Sequence, residues 1–260
     1  SATGYSAKQE AMKFDKDNNE TALLKAGLLY HKVIRENDKL NIKTEITNFV
    51  PITDDKVELM KVKIINTGDE VLKIDAISAI PLYGRSADNI RDHRHVTSLL
   101  NIIKTVKNGI EMTPTLSFDE RGHKINNLSY IILGKDDSEN SPIGFYPVLD
   151  DFIGEGGSLT WPKAVVENNN DYSKAGEIFK GNEAMGALRF AETELKPDEK
   201  KSFILAIIVS DKDSEINYAD RYCNLALFNK YFEENKKYWN NLINKINFSS
   251  GDKVFDNWMK

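Results

Sequence analysis

Two histidines separated by one residue, His93 and His95, form the first group of side chains in this sequence that could do chemistry. On a β-strand both imidazoles would point to the same side, where they could bind a transition metal. The intervening Arg94 would oppose a bound cation, because its guanidinium is positively charged. Two other interpretations stay open: a polar hydrogen-bonded network at a sheet edge, and contact with a sugar or a phosphate.

A second polar cluster, Asp119-Glu120-Arg121, lies further along the chain. Its carboxylates could accept hydrogen bonds from the histidines and arginines of the first cluster. An imidazole and a carboxylate on opposite sides of a sugar ring could also exchange its anomers by acid and base catalysis. In that mutarotase-like hypothesis His93 or His95 is the acid, and Glu120 or Glu155 is the base.

Trp161 follows a glycine-rich run, Gly154-Glu155-Gly156-Gly157-Ser158. The run is too short and wrongly spaced for a phosphate-binding loop or a dinucleotide fingerprint, so it predicts a turn with positive φ angles. Trp161 itself has two interpretations, a buried core side chain or a ring on which a saccharide face stacks. The second would make the chain a carbohydrate-binding module with Trp161 and Tyr146 as stacking platforms.

The composition argues against several function classes. The 260 residues are 40% hydrophobic and carry 35 Lys and Arg against 40 Asp and Glu, which gives a net charge of −5. This acidic balance disfavours nucleic-acid binding through bulk charge, and no apolar run approaches the roughly 20 residues that cross a bilayer. The single cysteine, Cys223, cannot form an internal disulfide and fits a reducing compartment. We therefore expect a cytoplasmic protein without nucleic-acid or membrane partners.

Short apolar runs separated by turn residues predict antiparallel β-structure in the middle of the chain. Residues 40–46, 60–64 and 72–76 alternate between apolar and polar side chains, as in strands with one buried face. The turn signal at residues 66–69 predicts that the last two runs form a hairpin. Further runs occur at residues 128–133, 187–190 and 202–209, and the last is so apolar that both of its faces should be covered. This pattern favours a sandwich.

Near Ser214 the pattern changes to the 3.6-residue period of amphipathic helices. The apolar positions that define this period are Ile216, Ala219, Tyr222, Cys223, Ala226, Trp239, Leu242, Ile243 and Ile246. We therefore divide the chain into residues 1–29, whose role is unclear, a β-domain at residues 30–212 and a helical segment at residues 213–260. The large apolar side chains of Phe255, Trp258 and Met259 predict that the chain belongs to a longer protein.

Three motifs resemble the N-terminal region of glycoside hydrolase family 94 proteins. They are His93-Arg94-His95-Val96-Thr97-Ser98-Leu99-Leu100, Pro114-Thr115-Leu116-Ser117-Phe118-Asp119-Glu120-Arg121-Gly122-His123, and Phe152-Ile153-Gly154-Glu155-Gly156-Gly157-Ser158-Leu159 with Trp161-Pro162. Tyr238-Trp239 and Phe255-Asp256-Asn257-Trp258 resemble the helical linker of that family. The resemblance spans residues 30 to 260 and is strongest to 1,2-β-oligoglucan phosphorylases and the related domain of cyclic β-1,2-glucan synthases.

The resemblance implies a mainly β fold, an antiparallel β-supersandwich of the galactose-mutarotase-like type, followed by a helical linker toward a catalytic α/α barrel outside this chain. It implies a parent enzyme, usually a homodimer, that cleaves a β-glucan with inorganic phosphate as co-substrate, uses no other cofactor, and inverts the anomeric centre. The proton-donating acid of that family belongs to the barrel, so no catalytic residue is expected here. The two polar clusters would then face the barrel or the glucan.

Overall fold

The computed structural model describes residues 20–84, 98–119, 122–168, 170–212, 217–245 and 249–259. Its strands are β1 Glu20–Gly27, β2 Tyr30–Asn37, β3 Ile42–Phe49, β4 Lys56–Asn66, β5 Leu72–Ile74, β6 Ile77–Leu82, β7 Asn101–Val106, β8 Gly109–Pro114, β9 Leu116–Asp119, β10 Gly122–Ile125, β11 Leu128–Asp136, β12 Gly144–Val148, β13 Ile178–Lys180, β14 Ala184–Arg189, β15 Thr193–Leu195 and β16 Lys200–Asp211. Its helices are α1 Leu149–Ile153, α2 Lys163–Val166, α3 Tyr218–Tyr222, α4 Leu225–Ile243 and α5 Lys253–Met259.

Antiparallel sheets dominate the fold, as the apolar runs predicted. Nine strands form one sheet in the order β1-β2-β3-β4-β16-β11-β8-β7-β13. Strands β12-β14-β6 form a second sheet, and β9–β10 and β5–β15 form two short ladders. Each of these pairings is antiparallel. The prediction of a mainly β, antiparallel architecture is therefore confirmed.

Strand β16 lies at the centre of the nine-stranded sheet and is covered on both faces, as its apolar sequence predicted. Phe203 and Leu205 belong to the core shared with the three-stranded sheet, whereas Ile204 and Ala206 belong to the core on the opposite face. This alternation follows from the two-residue period of a strand. We call the face toward the three-stranded sheet the inner face and the other the outer face.

Helices α3 and α4 cover part of the outer face, in agreement with the helical period after Ser214. The ring of Phe228 in α4 packs edge-on against Phe49 of β3 with 5.1 Å between the centroids. Cys223 is fully buried beside these residues, and burial raises the pKa of its thiol to about 12. Leu242, which the period placed on the buried side, is 40% exposed. None of the described helices combines the length and apolarity required to cross a lipid bilayer.

The predicted hairpin around residues 66–69 does not form. Strand β4 is paired on one edge with β3 and on the other with β16, so neither edge is open to the strand that follows the turn. The chain instead leaves the nine-stranded sheet, and β5 pairs with β15. Alternation correctly identified the two strands, but it carries no information on which edges other strands already occupy.

A hairpin also crosses the division that the sequence suggested at residue 30. Strand β1 pairs with β2 over its whole length, from Glu20 opposite Asn37 to Gly27 opposite Tyr30. Residues 20–27 therefore extend the nine-stranded sheet by one strand. Strand β1 lacks a clear alternation of apolar and polar residues, because Leu23 and Leu24 are adjacent and apolar. Both are about half exposed at the sheet edge.

Candidate functional site

Most residues of the two predicted polar clusters lie outside the described residues. This applies to His93, Arg94 and His95 and also to Glu120 and Arg121. Asp119 is described through its backbone, which ends β9 and pairs with Gly122 of β10. Within the described part of the chain, no group of His, Cys, Asp or Glu side chains is arranged to hold a metal ion. The roles of the two clusters stay predictions.

Trp161 lies between α1 and α2 and is 61% exposed. The interpretation as a buried core tryptophan is therefore wrong. Tyr146, the second platform of the binding-module hypothesis, is only 2% exposed, so its ring cannot stack on a saccharide. Trp161 and Asp119 belong to separate elements, since Trp161 lies in a loop between helices and Asp119 ends strand β9.

Two small helices anchor the loop that presents Trp161. Phe152 of α1 and Ala164 of α2 are buried in one cluster with Tyr146, and the rings of Phe152 and Tyr146 are 5.6 Å apart. Between the helices, Gly154 and Gly156 adopt φ angles of 81° and 67°, which confirms the predicted positive-φ turn. Because Phe152 and Ala164 fix the two helices against the core, the residues between them are left at the surface.

Several apolar side chains of this region are exposed. Leu159, Trp161, Val165 and Val166 are all exposed and fall within residues 158–168, which we call the Trp161 segment. The backbone N–H of Trp161 donates to the carbonyl oxygen of Ser158 at 3.1 Å, closing a tight turn. An exposed indole beside polar loop groups is the arrangement that stacks against the C–H face of a sugar.

A buried arginine holds the end of the Trp161 segment. Arg189 of β14 is 4% exposed and forms an ion pair with Asp75. Its Nη2 also donates to Oδ1 of Asn168 at 2.7 Å, and its Nη1 donates to the hydroxyl of Tyr146 at 3.4 Å. Asn168 has a left-handed φ of 48° and lies just after α2. Arg189 thus ties the end of α2 to the three-stranded sheet.

Tyr146 and Asp75 also stabilise the positive charge of Arg189. Burial works against the charged guanidinium, but hydrogen bonds and the charge of Asp75 outweigh burial and raise the pKa of Arg189. The guanidinium carbon also lies 5.6 Å from the ring centroid of Tyr172, within cation–π distance. A buried charge with this many partners positions the chain around it and is strongly destabilising to remove.

In contrast to the stabilised charge of Arg189, the negative charge of a carboxyl group in α1 is disfavoured by its surroundings. Asp151 is exposed at the surface, and its partial burial, followed by the negative charges of Asp150 and Asp171, raises the pKa of its carboxyl group. A carboxyl with a raised pKa keeps its proton to higher pH and can donate a hydrogen bond to an oxygen. The region therefore combines an exposed indole with carboxyl groups, the types of side chain that bind sugar hydroxyls and sugar faces.

Sequence reasoning missed the residues that build this region, namely Asp75, Asp151, Asn168 and Arg189. One signal for Arg189 was present, because it stands in the apolar run Ala184-Met185-Gly186-Ala187-Leu188-Arg189-Phe190. An arginine in a strand buried on both faces requires a carboxylate partner. The sequence gives no indication of which carboxylate this is, since Asp75 is far away along the chain.

Comparisons with known proteins were made on the sequence and on the fold. A family model described as "Glycosyl hydrolase 94, supersandwich domain" matches residues 12–225. A comparison with curated proteins gives no match.

Similar solved structures include a bacterial glucoamylase complexed with acarbose, at 13% identity and a TM-score of 0.44 over 86% of this chain and 29% of that one. A putative kojibiose phosphorylase from the human microbiome is 10% identical with a TM-score of 0.35, over 88% of this chain and 22% of that one. A polysaccharide lyase is 11% identical with a TM-score of 0.40, over 72% and 22%. This chain thus spans less than a third of the length of these structures.

Proposed function

The chain belongs to the glycosyl hydrolase 94 supersandwich domain family, and from this membership we propose that it is the non-catalytic N-terminal part of an inverting glycoside phosphorylase or of a related glucan synthase. The observation that carries the proposal is the match of the family model over residues 12–225. The chain would pack against a catalytic α/α barrel of the same protein or of a second protomer in a homodimer. We propose β-glucan, with β-1,2 linkages, as the substrate.

In the proposed reaction an acid on the barrel protonates the glycosidic oxygen while inorganic phosphate attacks the anomeric carbon from the opposite face. The bond from this carbon to the leaving oxygen breaks, and a bond to a phosphate oxygen forms. The products are α-glucose 1-phosphate and a glucan shortened by one unit, and phosphate is the only co-substrate. The part of this chain is to support the barrel and to border the path of the glucan.

The non-catalytic role is tested by incubating the chain with inorganic phosphate and β-1,2-gluco-oligosaccharides and measuring glucose 1-phosphate. We expect no release by the chain alone. Sustained release, lost when phosphate is omitted, would show that the chain is itself the catalyst and overturn this part of the proposal.

The reaction and the linkage are tested with a protein in which this chain is joined to the proposed catalytic α/α barrel. We expect phosphate-dependent release of the α-anomer, identified by NMR, from β-1,2-linked oligosaccharides. Matched β-1,3- and β-1,4-linked oligosaccharides are the controls. Release of the β-anomer would contradict inversion, and faster release from either control would contradict the β-1,2 specificity.

Carbohydrate binding by the chain itself is a second candidate function, which the exposure of Trp161 favours. Replacing an aromatic stacking platform by alanine removes the contact with the sugar face. We expect the variant Trp161→Ala to bind a β-1,2-gluco-oligosaccharide at least ten-fold more weakly than the unchanged chain in calorimetry, and Trp161→Phe to retain most of the affinity. Equal affinity of the unchanged chain and Trp161→Ala would remove Trp161 from the binding surface.

A further inference from the structure

A recess lies on the outer face of the nine-stranded sheet, at the margin of the helical cover. It has a volume of about 230 Å³ and is bordered by the β7–β8 turn, by the end of β16 and by α3. We call it the Glu111 pocket and define it by Lys107, Asn108, Glu111, Leu133, Asp211 and Tyr218. It is built by the sheet and α3, whereas the Trp161 segment follows α1 and includes α2.

The floor of the pocket is apolar because of the strand register. Gly109 pairs with Leu133, and Glu111 pairs with Ile131, across the β8–β11 ladder. A side chain at position 109 would come within 1.9 Å of the carbonyl oxygen of Ile132, so only glycine fits there. With no side chain at position 109, the aliphatic side chains of Ile131 and Leu133 line this part of the pocket.

The walls carry polar groups that are held in place. Ser129 donates to Oε1 of Glu111 at 2.7 Å, which orients the carboxylate and leaves Oε2 as an acceptor. Ser141 donates to Oδ1 of Asn108 at 2.7 Å, so the amide nitrogen of Asn108 is the donor on this rim. The hydroxyl of Tyr218 is bonded to Ser210 at 2.9 Å, which fixes the aromatic ring.

The chemistry of the lining selects the class of ligand. The carboxylates of Glu111 and Asp211 repel an anion, whereas the ammonium of Lys107 opposes a cation. Carboxylates accept hydrogen bonds from hydroxyls, and Lys and Asn donate to them. Acceptors and donors beside aliphatic side chains suit a neutral ligand with several hydroxyls and one apolar face, which is the description of a pyranose ring.

The size of the pocket restricts the ligand further. Its volume of about 230 Å³ is far above the roughly 30 Å³ share of one water molecule. It is also below the range of about 300–1,000 Å³ that drug-sized ligands occupy. This volume accommodates a single sugar ring.

We propose that the Glu111 pocket binds one glucose unit of a glucan chain, at a site of its own on the supersandwich. The proposal rests on the proposed function only in the identity of the sugar. In a glucan-degrading or glucan-synthesising protein, a site on this face would retain the polymer between catalytic events, since a second attachment raises the local concentration of the chain.

The experiment measures binding of a β-1,2-linked gluco-oligosaccharide to the 260-residue chain by calorimetry and by NMR of the isotope-labelled chain. Glu111→Gln is the main variant, because the amide oxygen still accepts from Ser129 while the carboxylate charge is lost. We expect at least ten-fold weaker binding by Glu111→Gln. The resonances that shift on binding should be those of β8, β11 and α3.

Glu58→Gln is the matched control. Glu58 is also a strand glutamate that accepts a side-chain hydrogen bond, from Asn48 at 3.0 Å, but it lies on the inner face. We expect its affinity for the oligosaccharide to be unchanged. If Glu111→Gln lowers the melting temperature, Asp211→Asn replaces it, since Asp211 is exposed and its loss should weaken binding without disturbing the sheet.

Four outcomes would overturn the proposed role of the pocket. The first two are no binding by the unchanged chain and equal losses of affinity in Glu111→Gln and Glu58→Gln. The other two are full affinity in both pocket variants and a loss of affinity in Trp161→Ala alone. The last outcome would leave the Trp161 segment as the binding surface. None of these outcomes affects the proposed phosphorylase role, which is tested separately by release of glucose 1-phosphate. The failure of one proposal is thus distinguishable from the failure of the other.

Discussion

The nine-stranded sheet and the region around the Trp161 segment shift the pKa values of their carboxyl groups in opposite directions. In the sheet, burial opposes the charge of Asp136, but hydrogen bonds from Lys201 and Asn140 outweigh burial and lower the pKa of Asp136. In α1, burial and the charges of Asp150 and Asp171 act in the same direction and raise the pKa of Asp151. The carboxylate of Asp136 therefore stabilises the fold, whereas the charged carboxylate of Asp151 destabilises it.

This difference separates the region that supports the fold from the region that is available for function. Lys201 bridges Asp136 and Asp137 at 2.8 and 2.7 Å, and this joins β16 to the end of β11. The Trp161 segment is held by a residue of the three-stranded sheet, Arg189, and exposes its apolar side chains. Exposed apolar and aromatic side chains within one segment are typical of surfaces that bind a ligand or a partner.

The largest effect should come from Arg189→Met, which removes the charge that holds the Trp161 segment. Breaking a buried ion pair from one side leaves the other side uncompensated and costs about 3–5 kcal/mol. We expect the free energy of unfolding to fall by this amount in denaturant titrations. Hydrogen exchange should accelerate in residues 158–168 and remain slow in β16.

Asp75→Asn is the control for this variant. The amide oxygen that this substitution introduces would still accept a hydrogen bond from Arg189, so we expect a smaller loss than in Arg189→Met. If Arg189→Met cost no more than about 0.5 kcal/mol, the range of surface substitutions, Arg189 would not anchor the segment.

A smaller effect is expected for Asn168→Ala, at the other end of the same contact. Asn168 accepts a hydrogen bond from Arg189 and occupies a left-handed backbone conformation that alanine adopts poorly. We expect a loss of about 2 kcal/mol in denaturant titrations, since a hydrogen bond to a charged group contributes about 1.5–3 kcal/mol.

Asn168→Gly separates the two causes. Glycine accepts the left-handed conformation but cannot accept the hydrogen bond. A Gly variant as stable as the unchanged chain would show that the hydrogen bond to Arg189 contributes nothing, and a Gly variant as unstable as Ala would show that the backbone conformation is not at issue.

Sequence reasoning succeeded for the strands and helices whose burial leaves a local pattern in the sequence. The alternation of residues 60–64 and the apolar run at residues 202–209 identified β4 and β16, because burial on one or both faces of a strand leaves a local pattern. The switch of period near Ser214 identified the helical segment for the same reason. These properties depend on neighbours in the sequence.

The site could not be predicted in this way. The hairpin assigned to residues 66–69 was wrong because both edges of β4 are occupied by other strands, one of them distant in sequence. The Arg189–Asp75 and Arg189–Asn168 contacts also join distant positions. Trp161 was identified as a candidate, but its exposure depends on how Phe152 and Ala164 orient two helices, and the sequence alone left buried and exposed interpretations open.

A weaker and pH-dependent effect is expected for Asp136→Asn in the sheet. The pKa of Asp136 in the folded chain is lowered below the unfolded value of about 3.9. Its stabilising contribution is therefore present above that value and is lost as the pH falls through the folded pKa. We expect Asp136→Asn to unfold about 1 kcal/mol more easily at pH 7, because Lys201 keeps Asp137 as partner, with the difference shrinking in acid. A difference independent of pH would assign the loss to packing.

The smallest effect, and the one of opposite sign, is expected for Asp151→Asn beside the Trp161 segment. The pKa of Asp151 in the folded chain is raised, so the group favours the fold below its unfolded pKa, and this contribution is lost as the pH rises through the folded pKa. At pH 7 the charged carboxylate destabilises the chain, and the neutral amide should raise the free energy of unfolding by up to about 0.5 kcal/mol, the range of surface substitutions.

Near pH 3, where the carboxyl group of Asp151 is protonated in both states, the difference between Asp151→Asn and the unchanged chain should vanish. The measurement is thermal unfolding at both pH values, with Asp136→Asn in parallel. Opposite signs for the two variants at pH 7 would establish that the sheet gains stability from its carboxylate and that α1 loses it. If Asp151→Asn also destabilised the chain at pH 7, the carboxylate of Asp151 would be a structural partner like that of Asp136, and the contrast between the two regions would not hold.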